Sequence, residues 1–110
     1  MWMVDPTIMC RRHLLGEHGE IHKHRHNFVK GHSIAGRMGQ IDPKRMGERH
    51  DELAIEMLRR GYKHESPYVQ PDLSAYDLTG HGVDPIAAMA DLVARCLDCA
   101  TGVLSKQGTI

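Results

Sequence analysis

The chain has 110 residues, of which 41% are hydrophobic and 25% are charged, and its formal net charge is zero. These values suit one globular domain with a modest core and exclude a membrane-spanning chain, because no apolar run approaches the roughly 20 residues that a span needs. With one Phe and one Trp, the core must be built from aliphatic residues and Met, which favours helices over sheets.

The zero net charge conceals an uneven distribution along the chain. Residues 1–64 carry twelve Lys and Arg against eight Asp and Glu, whereas residues 65–110 carry two against six. Eight of the nine histidines also lie before residue 65. The first half is therefore the half suited to an anionic partner, while the second half keeps the molecule soluble. Chance segregation of charge in a short chain is the alternative.

Three Asp-Pro pairs, at positions 5–6, 42–43 and 84–85, predict three helix starts, since Asp caps a first turn and Pro suits its first position. We expect helices over about 6–26, 43–60 and 85–104, joined by loops at 27–41 and 64–83. Residues 105–110 are expected to be frayed. The predicted fold is all-α: a compact single domain spanning residues 1–110, with about three main helices and two long loops.

The first predicted helix concentrates the polar chemistry of the chain. At 100° per residue, one stripe of this helix carries five residues of catalytic or metal-binding type, namely Cys10, His13, Glu17, Glu20 and His24. A core face rarely holds two carboxylates, and a solvated face has no need of histidine. The stripe is therefore a candidate site for proton transfer or metal binding. The HKHRH run at 22–26 is interpreted as a solvated helix end.

Two short clips have the spacing of metal ligands. Cys10 and His13 form one, Cys96 and Cys99 form the other, and side chains three residues apart share a helix face. Because the protein is expected to be cytoplasmic, its cysteines are predicted to be thiols or ligands rather than disulfides. A structural zinc ion held by Cys10, Cys96 and Cys99 is one interpretation. Packing of the three thiols in the core is the other.

A second metal hypothesis involves His18 and His22, which are four residues apart on the first helix. The pair lacks a visible third ligand and does not have the HExxH order, so packing or solvent exposure is favoured. His50 lies on the apolar seam of the second helix and is interpreted as structural.

Two segments resemble the phage pyrimidine-dimer DNA glycosylases of the endonuclease V type. The first is HLLGEHGEI at 13–21, where a histidine precedes a glutamate by seven residues. The second is RHDELAIEMLRRGYKHESP at 49–67, where a helix ends in a basic pair, Gly and an aromatic residue. Together they cover about half of the chain. The opening WMVDP and the CxxHLLGEH helix are also similar to short phage proteins of this group.

The resemblance implies a DNA glycosylase and AP lyase that attacks a damaged nucleotide through its N-terminal amine. An α-amine has a pKa near ~7.7–8.0, so much of it is nucleophilic at neutral pH. Because the bulky Trp2 blocks removal of the initiator residue, Met1 would supply the amine. Glu20 matches the catalytic glutamate and His13 the family's histidine. The residues implied to bind the phosphates of double-stranded, damaged or abasic DNA are Arg11, Arg12, Lys23, Arg25, Arg59 and Arg60.

The chain also departs from the family pattern. Gly19 stands where the family has a basic residue, and the acidic residues 84–110 carry CxxC in place of an aromatic, basic end. The alternative function is a non-enzymatic phage accessory protein that binds nucleic acid or a host protein, with or without a structural zinc ion. The glycosylase needs no cofactor and no membrane, and would act in the host cytoplasm if phage-encoded. His13 discriminates, because a zinc ligand cannot also be a free imidazole.

Overall fold

The computed structural model describes residues 1–107 and contains four α-helices. They are α1 (Arg11–Val29), α2 (Met46–Arg59), α3 (Pro85–Arg95) and α4 (Leu97–Gln107), with single 3-10 turns at Pro6–Ile8, Ala35–Arg37 and Pro43–Arg45. The described residues contain no strand, and the radius of gyration is 14.6 Å. The predicted all-α, compact fold is confirmed. No helix in the described part combines the length and the apolar character that a membrane crossing demands.

The Asp-Pro pairs mark helix entries, although two of them start a 3-10 turn before the α-helix proper. The carboxylate of Asp5 accepts the backbone N–H of Thr7, and that of Asp84 accepts those of Ile86 and Ala87. Helix α1 starts at Arg11 rather than near residue 6 and continues to Val29. The 27–41 stretch contains a short 3-10 turn, and the 64–83 stretch is a long connection without helix.

The third predicted helix is two helices, because the chain breaks at Cys96. This residue has an extended backbone, with φ −129° and ψ 109°. The break turns α4 towards the Pro6–Ile8 turn, against which it packs. It also rotates the apolar positions after it, so that Leu97 and Leu104 are 81% and 67% exposed. Residues 105–107, expected to be frayed, belong to α4, and residues 108–110 lie outside the described part.

Helix α1 is the central element, since it packs along α2 and carries buried residues on more than one side. Buried apolar residues from all four helices form one core with the N-terminal segment. They are Val4, Ile8, Met9, Leu14, Ile21, Phe28, Ile34, Ile41, Met46, Leu53, Met57, Leu92, Cys96 and Cys99. The core therefore holds the N-terminal segment and the start of α4 against the α1–α2 pair, which places the N-terminal amine on the protein rather than in a free tail.

The contact between α4 and the Pro6–Ile8 turn predicts a stability difference between two glycine substitutions. A Cβ on Gly102 would overlap the carbonyl oxygen of Ile8, whereas a Cβ on Gly16 of α1 meets no described atom within 4 Å. We expect Gly102→Ala to lower the free energy of unfolding by about 1–3 kcal/mol. Gly16→Ala should raise it by up to about 1 kcal/mol through helix propensity. Urea denaturation measures both, and equal effects would contradict the packing of α4.

Candidate active site

The N-terminal amine lies against a glutamate of α1. The nitrogen of Met1 donates to Oε1 of Glu20 at 2.5 Å and to the carbonyl oxygen of Gln40 at 2.8 Å. The first contact is also an ion pair, between an ammonium group and a half-exposed carboxylate. A nucleophile in hydrogen-bond contact with a proton acceptor is the geometry that nucleophilic catalysis requires.

The residues after Met1 fix the position of the amine. Met3 has a φ of +57°, which is rare for a residue other than Gly and turns the first two residues back onto the protein. The carbonyl oxygen of Val4 accepts from Arg49 at 2.6 Å, and the sulfur of Met1 accepts from the backbone N–H of Asp42 at 3.4 Å. The position of the amine is therefore fixed by its own hydrogen bonds, by the contact of the Met1 sulfur and by the contact between Val4 and Arg49.

Glu20 is ionised over the whole neutral range. Burial alone would raise its pKa, but hydrogen bonds from His24 and the Met1 amine, together with their charges, lower the pKa to about 2. Nε2 of His24 lies 3.5 Å from Oε1 of Glu20, one helical turn away. His24 is only 3% exposed, and its Nδ1 is buried without a partner among the described residues. It does not belong to a solvated helix end, as the HKHRH run suggested.

A cavity of about 650 Å³ opens beside this pair. Its walls come from the N-terminus, from α1, from the 35–40 segment and from α3. They include Trp2, Arg37, Asp91 and Arg95. Asp91 pairs with Arg95 at 2.7 Å, which compensates part of the acidic charge on the α3 wall. The volume lies in the range of small-molecule and nucleotide pockets, which is about 300–1,000 Å³.

His13 lies with the three cysteines. Its Nδ1 is 3.2 Å from Sγ of Cys10 and 3.7 Å from Sγ of Cys99, and Sγ of Cys10 is 3.8 Å from Sγ of Cys96. The four ligand atoms all lie within 4.8 Å of one another. Ligands at about 2.0–2.3 Å from a tetrahedral zinc ion are separated by about 3.4–3.8 Å. The side chains therefore form a Cys3His group that could bind a metal.

In each of the two clips, the first cysteine lies at the start of a helix. The carbonyl oxygens of Cys10 and Cys96 accept the first helical hydrogen bonds of α1 and α4, so both cysteines are N-caps. The backbone N–H of Cys10 also donates to Sγ of Cys99 at 3.3 Å. Helix starts favour negative charge, and here they face the sulfurs. A backbone hydrogen bond from Cys99 lowers the pKa of Cys96, while burial raises the pKa of Cys99 to about 12.

The basic residues expected to contact DNA fall into two groups. Arg12 and Lys23 are exposed on α1. Arg11 is exposed but lies over the ring of Tyr62, at 5.3 Å, and Arg25 donates to the carbonyl oxygen of Val69 at 2.5 Å. These four cations share α1 with Glu20.

The basic pair at the end of α2 is bound within the protein. Arg59 and Arg60 both donate to the buried carboxylate of Glu56 at 2.6 Å. Arg60 also donates to the carbonyl oxygens of Pro6 and Met9, at 3.1 and 2.7 Å. Arg60 therefore links the end of α2 to the N-terminal segment, whereas Arg59 is 63% exposed.

Glu17 does not belong to the site in which sequence periodicity placed it. It is 2% exposed and accepts two hydrogen bonds from the buried Arg49, at 2.5 and 3.0 Å. Helical spacing puts Glu17 on the side of Glu20, but the position of Arg49 on α2 decides its role. Sequence reasoning missed this pair because nothing in the local pattern indicates that Arg49 is buried.

A cluster of histidines was also missed. His18, His50 and His64 converge, with His22 beside them. The partners of His18 in a possible metal group are His50 from α2 and His64 from the segment after it, rather than His22, with which the sequence paired it. The available signal was the position of His50 on the apolar seam of α2, the side that faces α1.

Together, these observations define a small helical protein in which the N-terminal amine contacts a glutamate beside an open cavity. A sequence model of the pyrimidine dimer DNA glycosylase family matches residues 1–70. The chain belongs to this family, which places it among glycosylase-type DNA repair proteins that act on DNA. No curated protein and no solved structure is detectably similar to the chain.

The Glu20 environment predicts a pH dependence of stability. A carboxylate whose pKa is lowered from 4.5 to about 2 stabilises the fold above pH 4.5, and this contribution is lost as the pH falls towards 2. We expect Glu20→Gln to flatten the pH dependence of the free energy of unfolding between these values. Urea denaturation of both chains at pH 2–6 measures it. Parallel curves for the two chains would contradict the ion pair. The control is Glu48→Gln, which replaces an exposed glutamate of α2.

Proposed function

We propose that the protein is a DNA glycosylase and AP lyase whose nucleophile is the amine of Met1. The observation that carries the proposal is the 2.5 Å contact between this amine and Glu20, beside a cavity of about 650 Å³. The proposal requires Met1 to be the free N-terminus of the mature chain, which intact-mass measurement checks. Membership of the family supports the reaction class.

In the proposed reaction Glu20 acts in its ionised form. The Met1 ammonium group first loses a proton to solvent, and the free amine forms a bond to C1′ as the glycosidic bond breaks. The departing base takes the bonding electrons and a proton from the attacking nitrogen. Ring opening gives an imine between Met1 and C1′. The ionised Glu20 then takes a proton from C2′, and the electrons of that C–H bond expel the 3′ phosphate by β-elimination. The ionised Glu20 also stabilises the positive charge that develops on the sugar.

The basic residues of α1 support DNA as the partner of this helix. Arg12 and Lys23 are exposed on the helix that carries Glu20, with Arg11 and Arg25 on the same helix. They would hold the phosphates and supply the salt-dependent part of binding. Arg59 can add to this footprint, whereas Arg60 serves the fold. Pyrimidine dimers in double-stranded DNA are the proposed lesion, and the cytoplasm is the proposed location.

The reaction predicts a covalent complex with DNA. Incubation of the protein with a duplex that contains one abasic site, in the presence of borohydride, should reduce the imine and give a stable adduct. Peptide mapping should place the adduct on Met1. Extra residues placed before Met1 should abolish trapping, because they remove the amine from Glu20. Glu20→Gln should slow the reaction by at least about 100-fold, with Glu48→Gln as the unaffected control.

Two results would contradict this mechanism. One is an adduct on a lysine such as Lys23, and the other is trapping that survives an extension before Met1. If no adduct forms while the chain still binds the duplex, the alternative of a non-enzymatic protein that binds nucleic acid is supported instead.

We further propose a structural zinc ion in the Cys3His group. The sulfur and nitrogen separations, the two helix starts and the N–H donated to Cys99 support zinc over thiols that merely pack. His13 then serves as a ligand and is not a free catalytic imidazole. The ion would link the start of α1 to α4. It would therefore fix the end of the N-terminal segment at Cys10. It takes no part in the chemistry at Met1.

Zinc in this group predicts thiols that respond to chelation. The three cysteines should react slowly with a thiol reagent in the purified protein and rapidly once a chelator is added. Cobalt substitution should give a sulfur-to-metal charge-transfer band. Cys10→Ser keeps an N-cap but removes one thiolate, and should weaken zinc binding by at least about 100-fold. Thiols whose reactivity ignores the chelator, in a chain without the cobalt band, would show packing alone.

A further inference from the structure

Three histidines from separate parts of the chain meet at one point between α1 and α2. His18 comes from α1, His50 from α2, and His64 from the segment that follows α2. Nε2 of His64 lies 2.9 Å from Nε2 of His18 and 3.3 Å from Nε2 of His50. His18 and His50 are buried, at 8% and 3% exposure, and His64 is half-buried.

Hydrogen bonding does not account for this convergence. A neutral imidazole has one N–H and one lone pair, so Nε2 of His64 is either a donor or an acceptor. One such nitrogen cannot make two well-directed bonds to two other ring nitrogens at once. By contrast, nitrogens at about 2.0–2.1 Å from a tetrahedral metal ion are separated by about 3.3–3.4 Å. The 3.3 Å distance matches that separation and the 2.9 Å distance is shorter, while all three ligand atoms lie within 4.8 Å of one another.

Asp51 favours a His50 ring whose Nε2 lone pair points into the cluster. Nδ1 of His50 lies 3.1 Å from the carboxylate of Asp51, which holds the proton on Nδ1 and leaves the Nε2 lone pair for the cluster. A carboxylate behind a histidine ligand is a usual second partner in metal sites.

His22 gives a second, independent sign of a missing polar partner. Its ring lies 4.8 Å from that of His18 and 5.0 Å from that of His50. Its Nε2 is buried and has no hydrogen-bond partner in the described structure. A buried, unpaired ring nitrogen is costly, and a metal ion or its bound water beside the cluster would satisfy it. Tyr68 stacks on His50 at 5.0 Å and covers this side.

We propose that His18, His50 and His64 bind one divalent transition-metal ion of the zinc type, separately from the cysteine group. Three imidazole ligands without a thiolate suit zinc, copper, nickel or iron. Calcium and magnesium prefer oxygen ligands, so this site does not suit them. His18 and Glu20 are two residues apart on α1, which places them about 200° around the helix. The site therefore lies on the side of α1 away from the Met1 amine. The ion would link the segment after α2 to α1 and α2.

The test counts metal ions per chain in protein without a polyhistidine tag. After equilibrium dialysis against zinc and removal of free metal, His64→Gln should hold one zinc fewer than the original chain. His26→Gln, an exposed histidine of α1 outside the cluster, should hold the same number as the original chain. In cobalt-loaded protein, the sulfur-to-metal band of the cysteine group should be unchanged in His64→Gln. This separates the two sites.

A second variant keeps the test independent of folding. Asp51 is 78% exposed, so Asp51→Asn leaves the core intact. It should weaken zinc binding at this site by about 10–100-fold. Zinc should also raise the Tm of the original chain by at least about 5 °C more than that of His64→Gln. Equal metal counts in the original chain and His64→Gln, with unchanged affinity in Asp51→Asn, would overturn the proposal.

Discussion

The guanidinium group of Arg49 holds the structure together at the point where the N-terminal segment crosses α1 and α2. It is 1% exposed and donates to both oxygens of Glu17, to the carbonyl oxygen of Val4 and to Glu52. Although burial would lower the pKa of Arg49, these carboxylates raise it, so the group stays charged. Removing one member of such a buried pair leaves an uncompensated charge and costs about 3–5 kcal/mol. Helix packing and the course of residues 1–9 therefore depend on the same side chain.

The path of residues 1–9 sets the geometry of two separate groups. At its beginning the path delivers the amine of Met1 to Glu20, with Met3 in the left-handed region as the local cost. At its end it presents Cys10, as the cap of α1, to Cys96 and Cys99. Arg60 holds the middle through the carbonyl oxygens of Pro6 and Met9. Residues 1–9 are thus fixed by Arg49 of α2 and by Arg60, which directly follows α2. Neither side chain belongs to the Met1–Glu20 pair or to the Cys3His group.

Local chemistry predicted the start of α3 and the cysteine and histidine clips, because capping by Asp-Pro and spacing of three residues are properties of short segments. The other two Asp-Pro pairs start 3-10 turns, and α1 begins at Arg11 rather than near residue 6. The break at Cys96 was not predictable, since the apolar period runs through it and only the packing of α4 on the Pro6–Ile8 turn requires it. The role of Glu17 and the meeting of His18, His50 and His64 were hidden for a related reason. Each depends on which residue of α2 faces which residue of α1, and one helix does not reveal that register.

The division of α1 also explains why a helix with so few apolar residues is buried on several sides. Leu14 and Ile21 face the core, Glu20 and His24 face the cavity, and His18 faces α2. The family match ends at residue 70, yet α3 forms one wall of the cavity and α4 supplies Cys99. The acidic second half therefore does not stand apart from the basic first half. Its Asp91, paired with Arg95, lines the same cavity as Met1 and Glu20, so residues from both halves of the chain form the walls around the amine.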